Sequence, residues 1–263
     1  MQELLYFFGH GFCHQLTSRT FEVDGLYFSA CARDTGIYLG LVFTVLAILL
    51  LYRRRPFRPS ALPPLPVVLA TVALGMSLIV DGVTSYVGLR ETDNLIRYAT
   101  GIGAGSAIGV FASCAVIELV SSFDDTARVL ARPREALAVW AAVALAAAAF
   151  YLGYPYLGVV GPLAALAAFI AIILGVNLLV LGLTRRLDPR LQCQAGLVGS
   201  GNSGSGNSGG GGGVVRVVAV SRWARAIGLA AAMGLFEIAL LGGVRELVLG
   251  TLLGIDSLDA LFH

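Results

Sequence analysis

Three arginines and an asparagine in the N-terminal half of the chain have the chemistry of an anion-binding site. They are Arg33, Arg90, Asn94 and Arg97. The planar guanidinium donates paired hydrogen bonds to phosphate and carboxylate groups, and an asparagine amide can orient such a ligand. We predict that these residues bind an anion, either a small one or the headgroup of a phosphate-bearing lipid. The alternative is that each arginine snorkels to the membrane boundary or forms a structural ion pair with a carboxylate.

Spacing places three of these residues on one face of a predicted helix. Arg90, Asn94 and Arg97 follow one another at intervals of four and three residues, and glycines continue the same face at intervals of four. The glycines are Gly101, Gly105 and Gly109. Small residues four apart let a second helix approach closely. The pattern therefore predicts that Arg97 points into the protein and not toward lipid.

Two carboxylates and a histidine could act on a ligand held by the arginines. Asp81 ends a run of 22 uncharged residues, and a carboxylate at membrane depth is a functional candidate because it is costly. Alternatively, Asp81 ends a helix and turns with Gly82. Asp34 and Asp81 could position or pair with the arginines, or act as general bases, and His14 could serve as an acid or a base.

One further carboxylate is predicted to lie deep in the membrane. Glu237 follows Arg225 by 12 residues, which is about 18 Å along a helix. It must then face a partner or a cavity, either as a protonated or ion-paired structural residue or as a proton or cation site.

Cysteines and histidines near the N-terminus allow two kinds of chemistry. Cys13 and Cys31 are both predicted to lie outside the cytoplasm, where a disulfide would stabilise the loop by about 3 kcal/mol. Zinc would accept Cys13, Cys31, His14 and His10 as ligands. The 17 residues between the two cysteines are not a standard zinc spacing, so the sequence favours the disulfide over the metal. Cys114 is expected in the core of a span.

The composition of the chain indicates that transmembrane helices carry these residues. The chain of 263 residues is 57% hydrophobic and 13% charged, about half the charge of a soluble domain. A soluble enzyme is therefore excluded, and the net charge of +2 is too small to indicate a nucleic-acid partner. We predict an all-α, polytopic transmembrane helix bundle in the plasma (inner) membrane.

Uncharged runs predict six spans. Four runs are 35–52, 59–80, 98–117 and 136–184, and the last span is predicted at 226 to about 250. The fourth run has 49 residues, about 73 Å as one helix against a hydrocarbon core of about 30 Å. It must therefore fold back into two spans, at Gly153–Pro155 and Gly161–Pro162.

Arginine placement predicts the orientation and the division of the chain. Thirteen of the 18 arginines lie in the loops after spans one, three and five, so these loops are predicted to be cytoplasmic and both termini to be outside. The predicted segments are an outer N-terminal segment at 1–34, five spans at 35–184, a cytoplasmic loop at 185–225, and the sixth span with a short tail at 226–263. A glycine, serine and asparagine linker occupies 199–213.

Two motifs carry a family resemblance. The sequence CHQ at 13–15 and the sequence CARDTGIYLG at 31–40 are followed by DGVT at 81–84 and by Arg90, Asn94, Arg97, Thr100 and Gly101. This pattern resembles a family of predicted prokaryotic membrane proteins, domain of unknown function 2085, over residues 8–120. The resemblance implies a membrane location and a shared N-terminal motif, with no activity, substrate or cofactor.

Four classes of function are compatible with the sequence. The first is binding or processing of an anionic ligand at the outer face. The second is a proton- or ion-coupled transporter that uses Glu237 and Asp81. The third is a metal or redox module at Cys13, Cys31 and His14, and the fourth is a structural membrane subunit. Walker, HExxH and Rossmann motifs are absent from the sequence, and no nucleophile elbow is recognised between a strand and a helix, so no reaction is assigned.

Overall fold

The computed structural model describes residues 2–10, 13, 16–120, 123–187, 227–238, 240, 241 and 244. Within these residues, five helices are long and apolar enough to cross a membrane, which confirms the predicted helical membrane fold. Two compact units are distinguished, one containing residues 1–172 and those from 238 onward, the other containing residues 173–237. The predicted linker at 199–213 lies outside the described residues.

The five long helices follow a short helix and a β-hairpin. In chain order the elements are α1 (Gln2–His10), β1 (Thr20–Val23), β2 (Leu26–Cys31), α2 (Ala32–Leu51), β3 (Arg58–Ala61), α3 (Leu65–Tyr86), α4 (Asn94–Val120), β4 (Phe123–Arg128), α5 (Pro133–Gly153), α6 (Val160–Leu187) and α7 (Ile227–Ile238). The strands form two separate two-stranded sheets: β1 pairs antiparallel with β2, and β3 pairs parallel with β4.

Helix ends depart from the predicted runs for local reasons. Helix α2 begins at Ala32, three residues before the predicted span, so Arg33 and Asp34 lie in its first turn. Asp34 there is stabilised by the positive end of the helix dipole. Helix α3 begins at Leu65 and not at 59, because the extended Pro64 precedes it and β3 occupies part of the predicted run.

The long uncharged run folds back near the predicted position. Helix α5 ends at Gly153 and α6 begins at Val160, so the break falls on the first of the two predicted turn signals. Gly158 has a φ of +51°, a left-handed conformation that favours glycine. Gly161 and Pro162 belong to the first turn of α6, where a proline is tolerated because its missing N–H would have had no helical partner.

The sixth span remains a prediction. Its described part is the 12-residue helix α7, and most of the predicted segment after residue 238 lies outside the described residues. In the second unit, Gly234 of α7 faces the side chain of Ile173. The number of spans and the placement of both termini outside the cytoplasm also stay predictions.

The predicted close approach of a helix to the glycine face is confirmed. A Cβ atom placed on Gly101 or Gly105 would collide with the backbone oxygen of Arg33 or Ile37 in α2. Gly109 meets Thr44 one helical turn further along. Helix α2 contributes Gly36 and Gly40 of the CARDTGIYLG motif to the same contact, a packing role that was not predicted for them. Helices α2 and α4 are therefore in backbone contact along several turns, and this contact holds their N-terminal ends together.

An aromatic cluster attaches the hairpin to this end of the bundle. Phe21 of β1 packs edge-to-face on Phe28 of β2 and on Tyr98 of α4, with ring centroids 5.6 Å and 5.7 Å apart. Tyr98 also donates a hydrogen bond of 3.1 Å to the carbonyl of Ala147 in α5. Since Tyr98 follows Arg97 directly, these contacts fix the rotation of α4 at the arginine.

Tyr52 forms hydrogen bonds at the C-terminal end of α2, away from the hairpin. Its hydroxyl donates to Glu135 Oε2 at 3.0 Å and accepts from the backbone N–H of Leu130 at 2.9 Å. Arg55 Nη2 lies 3.4 Å from Glu135 Oε1 and its guanidinium stacks 4.7 Å from the Tyr52 ring centroid. Tyr52 thus joins the loop after α2 to the start of α5.

Replacing Tyr52 with phenylalanine should lower the free energy of unfolding by about 1 to 3 kcal/mol, because the buried N–H of Leu130 loses its acceptor. Thermal unfolding in detergent measures the loss. Burial raises the pKa of Tyr52 to about 12. The stabilisation is therefore complete below pH ~10, the ordinary tyrosine value, and disappears as the pH rises through 12. An equal alkaline loss of stability in Y52F would contradict this assignment.

Candidate functional site

Asp81 is the centre of a polar cluster where α2, α3 and α4 meet. Its side chain is 0% exposed and accepts hydrogen bonds from Arg33 Nη2 at Oδ2 and from Arg90 Nη2 at Oδ1, the latter at 2.5 Å. Thr100 Oγ1 lies 3.5 Å from Oδ2. The alternative of a helix-terminal turn at Asp81–Gly82 is wrong, because α3 continues to Tyr86. Both carboxylate oxygens are thus occupied by guanidinium groups.

Arg33 is carried by the first turn of α2. The close packing of Gly101 on the Arg33 carbonyl sets the position of its backbone. The side chain is 26% exposed, so part of the guanidinium remains accessible. Its Nε atom is buried and has no hydrogen-bond partner among the residues that the structure describes.

Arg90 reaches Asp81 from a loop and not from a helix. The prediction that Arg90, Asn94 and Arg97 share a helix face is wrong for Arg90, because α4 begins at Asn94. Asp93 Oδ1 accepts the N–H of Ile96 at 2.7 Å and so caps the helix there. Arg90 Nε donates to Thr84 Oγ1 at 3.2 Å, and the side chain is 43% exposed.

Arg97 and Asn94 occupy the first two turns of α4. Arg97 Nη1 lies 3.4 Å from Asn94 Oδ1, a long contact with an uncharged acceptor. Arg97 is also within electrostatic range of Arg19 and Arg33, whose charges repel it, and of Asp81, which attracts it. Among the described residues, no carboxylate lies within salt-bridge distance of Arg97 or Arg19.

The cluster therefore has more positive than negative charge. We define the arginine cluster as Arg19, Arg33, Arg90 and Arg97 with Asp81. Arg33 and Arg90 share one carboxylate, and the other two arginines have none in the described part of the chain. Cationic groups held close together near a membrane boundary repel one another, and an anion would relieve that repulsion.

A second polar group lies beside the arginine cluster. The ligand-type atoms of Cys13, Cys31 and Asp34 all lie within 4.8 Å of one another. Cys31 Sγ donates to Asp34 Oδ2 at 3.2 Å, and the backbone N–H of Cys31 donates to Cys13 Sγ at 3.2 Å. The hydrogen bond with Cys13, together with burial, raises the pKa of the Cys31 thiol.

The structure does not support the predicted disulfide: both cysteines are present as thiols. It also groups Asp34, and not His10, with them, since the His10 ring packs on Tyr6 with centroids 5.1 Å apart. His14 lies outside the described residues. Cys114 is half-buried in α4, its Sγ 3.9 Å from the carbonyl of Val110.

Glu237 lies in the second unit and has a neutral partner. Asn177 is buried, and its amide nitrogen lies 3.4 Å from Glu237 Oε2 and 3.3 Å from the carbonyl of Ala230. Among the described residues, no cation lies within salt-bridge distance of Glu237. These contacts join α6 to α7.

Three residues of the first unit take part in the site that were not predicted as site residues, although Thr84 and Thr100 belong to the family motif. Thr100 and Thr84 contact Asp81 and Arg90, and Arg19 adds a charge near Arg97. Thr100 could have been found by spacing, because it lies three residues after Arg97 on the same helix face. Arg19 could not have been found from spacing, because the hairpin that follows it determines how close it lies to Arg97.

The fold defines a multi-pass membrane helix bundle in which Asp81 gathers arginine side chains near the ends of α2, α3 and α4. The chain belongs to the family described as "Predicted membrane protein (DUF2085)", whose model matches residues 13–111. This stretch contains the hairpin, α2, α3 and most of α4. The resemblance identified from the two motifs is therefore confirmed.

Two relatives are similar over the same part of the chain. An "Uncharacterized protein" of Methanothermobacter thermautotrophicus is 38% identical over 102 residues, which cover 37% of this chain and 81% of the relative. An uncharacterized protein of Methanocaldococcus jannaschii is 32% identical over 96 residues, which cover 36% of this chain and 58% of the relative. The chain thus spans little more than half the length of the second relative. No solved structure matches.

Proposed function

We propose that the arginine cluster binds an anion with the chemistry of a phosphate group. The observation that carries this proposal is the shared carboxylate: Asp81 pairs with both Arg33 and Arg90. Within the described part of the chain, Arg97 next to them contacts an amide oxygen at 3.4 Å and no carboxylate. A purely structural set of ion pairs would match the charges more closely. The unmatched guanidinium groups are suited to an anion because their planar donors fit phosphate oxygens.

Asp81 has a positioning role in this proposal. Its buried carboxylate holds the guanidinium groups of Arg33 and Arg90 from opposite oxygens, and both side chains remain partly exposed. A guanidinium has five N–H donors, so each arginine has donors to offer a ligand after binding Asp81. Since both oxygens of Asp81 already accept hydrogen bonds, we assign no proton transfer to it.

Two ligand sources share this chemistry. The cluster lies within one or two turns of the ends of α2, α3 and α4, close to where lipid headgroups meet a spanning helix. A lipid phosphate and a dissolved phosphate would both be recognised by the same donors. The binding experiment therefore tests lipid phosphate and dissolved phosphate separately.

The experiment compares Arg97→Gln with Arg134→Gln in the full chain. Arg134 is an exposed arginine at the start of α5, so its replacement removes one charge far along the sequence from the cluster. Inorganic phosphate and pyrophosphate are titrated into detergent-purified protein, and phosphatidic acid is titrated in nanodiscs. We expect R97Q to weaken binding at least about tenfold, equivalent to about 1.4 kcal/mol, while R134Q matches the wild type.

The first arm uses phosphate and pyrophosphate in detergent, and the second uses phosphatidic acid in nanodiscs. Binding in the first arm alone identifies a dissolved anion, and binding in the second alone identifies a lipid headgroup. Equal affinity of R97Q and wild type in both arms would contradict the proposal. A wild type that binds none of the three probes, with arginine variants that lose only stability, would instead support the structural-subunit class. Among the described residues no observation favours the transporter: Glu237 contacts the neutral amide of Asn177, which also contacts a backbone carbonyl.

A further inference from the structure

The group formed by Cys13, Cys31 and Asp34 has the composition of a metal site. Two thiols and a carboxylate approach one another from the stretch between α1 and β1, the end of β2 and the first turn of α2. We propose that these three side chains bind one zinc ion. This inference does not rest on the proposed anion site.

The distances are close to those that zinc requires. Two thiolates bound to one zinc at about 2.3 Å in tetrahedral geometry lie about 3.8 Å apart. The three ligand atoms already lie within 4.8 Å of one another, and Cys31 Sγ is 3.2 Å from Asp34 Oδ2. Movements on the order of 1 Å, available by side-chain rotation, complete the site.

Burial and chemistry select the ion. Cys13 and Cys31 are each 5% exposed and pack with Ala30 and Tyr38, so they are stable there as neutral thiols and could be thiolates only beside a compensating cation. Binding of zinc would release the two thiol protons and supply that cation. Sulfur ligands favour zinc over magnesium or calcium, which take oxygen ligands. Three protein ligands leave a fourth tetrahedral position for water.

The position of Asp34 favours a metal over a disulfide. The Cys31 thiol donates a hydrogen bond to Asp34 Oδ2, and the Cys13 sulfur accepts one from the Cys31 backbone N–H. A neutral disulfide gains no stabilisation from a carboxylate beside its sulfur atoms, whereas a bound metal cation is stabilised by one. Arg33 lies between Cys31 and Asp34 in the sequence, so a bound ion would also restrain the backbone that presents Arg33.

The test measures zinc in the full chain, purified through a tag without histidine. Zinc content is determined by mass spectrometry after incubation with Zn²⁺ and removal of excess metal. We expect about one zinc per chain for the wild type and for the control C114S, and at least about a tenfold weaker affinity for C31S and D34N. Cys114 is a suitable control because it is a half-buried cysteine of α4 outside the group.

Two further readouts keep the proposal testable if a variant folds poorly. Co²⁺ bound to the wild type should give the absorption band of thiolate-to-cobalt charge transfer, and Zn²⁺ should protect Cys13 and Cys31 from alkylation. Zinc content unchanged in both C31S and D34N, or a Cys13–Cys31 disulfide in the purified protein, would overturn the proposal. Because zinc is measured directly, the outcome is independent of phosphate binding.

Discussion

Replacing Asp81 with alanine is expected to lower the free energy of unfolding by about 3 to 5 kcal/mol. The carboxylate is fully buried and is the ion-pair partner of both Arg33 and Arg90. Its removal leaves two guanidinium groups close together without a counter-charge, and breaking a buried pair from one side costs more than the pair itself contributes. Thermal or denaturant unfolding of the detergent-solubilised protein measures the difference.

The matched control is Glu91→Gln, which removes an exposed carboxylate ten residues later in the chain. A surface substitution of this kind should stay within about 0.5 kcal/mol of the wild type. The triple variant D81N/R33Q/R90Q, which removes the charges together, should recover part of the loss. If D81A unfolds within about 1 kcal/mol of the wild type, Asp81 does not hold the cluster together.

The second large effect is expected at Gly105 of α4. A methyl group there would meet the carbonyl oxygen of Ile37 and would lie 2.8 Å from the backbone nitrogen of Leu41. Backbone atoms cannot rotate away, so α4 must move from α2, and G105A should cost about 1 to 3 kcal/mol and G105L more. The same melting experiment measures both variants.

Gly175 of α6 supplies the control for the glycine substitution. It lies within a helix, is exposed, and a Cβ added there would meet nothing within 4 Å. Alanine at this position should be neutral or should stabilise the helix by about 0.5 to 1 kcal/mol. Equal effects of G105A and G175A would show that close packing of α2 on α4 does not stabilise the fold.

The sequence predicted the five described long helices because long uncharged runs have few alternatives in a membrane, while the sixth span stays a prediction. It also predicted the packing face of α4, since glycines at intervals of four can share only one side of a helix. It did not predict that Arg90 lies off that helix. Asp93 is a residue type that favours the N-cap position, so it indicated that α4 begins after it. The spacing of Arg90 and Asn94 alone instead predicted that both lie on one helix face.

The N-terminal segment was the least predictable part of the chain. Asp24 and Gly25 both have positive φ and form the two-residue turn between β1 and β2, a turn that Asp-Gly pairs favour. Without this hairpin, neither the approach of Arg19 to Arg97 nor that of Cys13 to Cys31 can be derived. The 17 residues between Cys13 and Cys31 do not determine the distance between the two sulfur atoms. For this reason the sequence alone did not predict that Asp34 joins the two cysteines.

The central claim is that the arginine cluster binds an anion, and binding by the double variant R90A/R97A tests it most directly. Phosphate, pyrophosphate and phosphatidic acid are titrated against the wild type and the variant, and circular dichroism checks that both are folded. We predict saturable binding by the wild type and its loss in the folded variant. Undiminished binding by the folded variant would contradict the assignment of these arginines to a ligand.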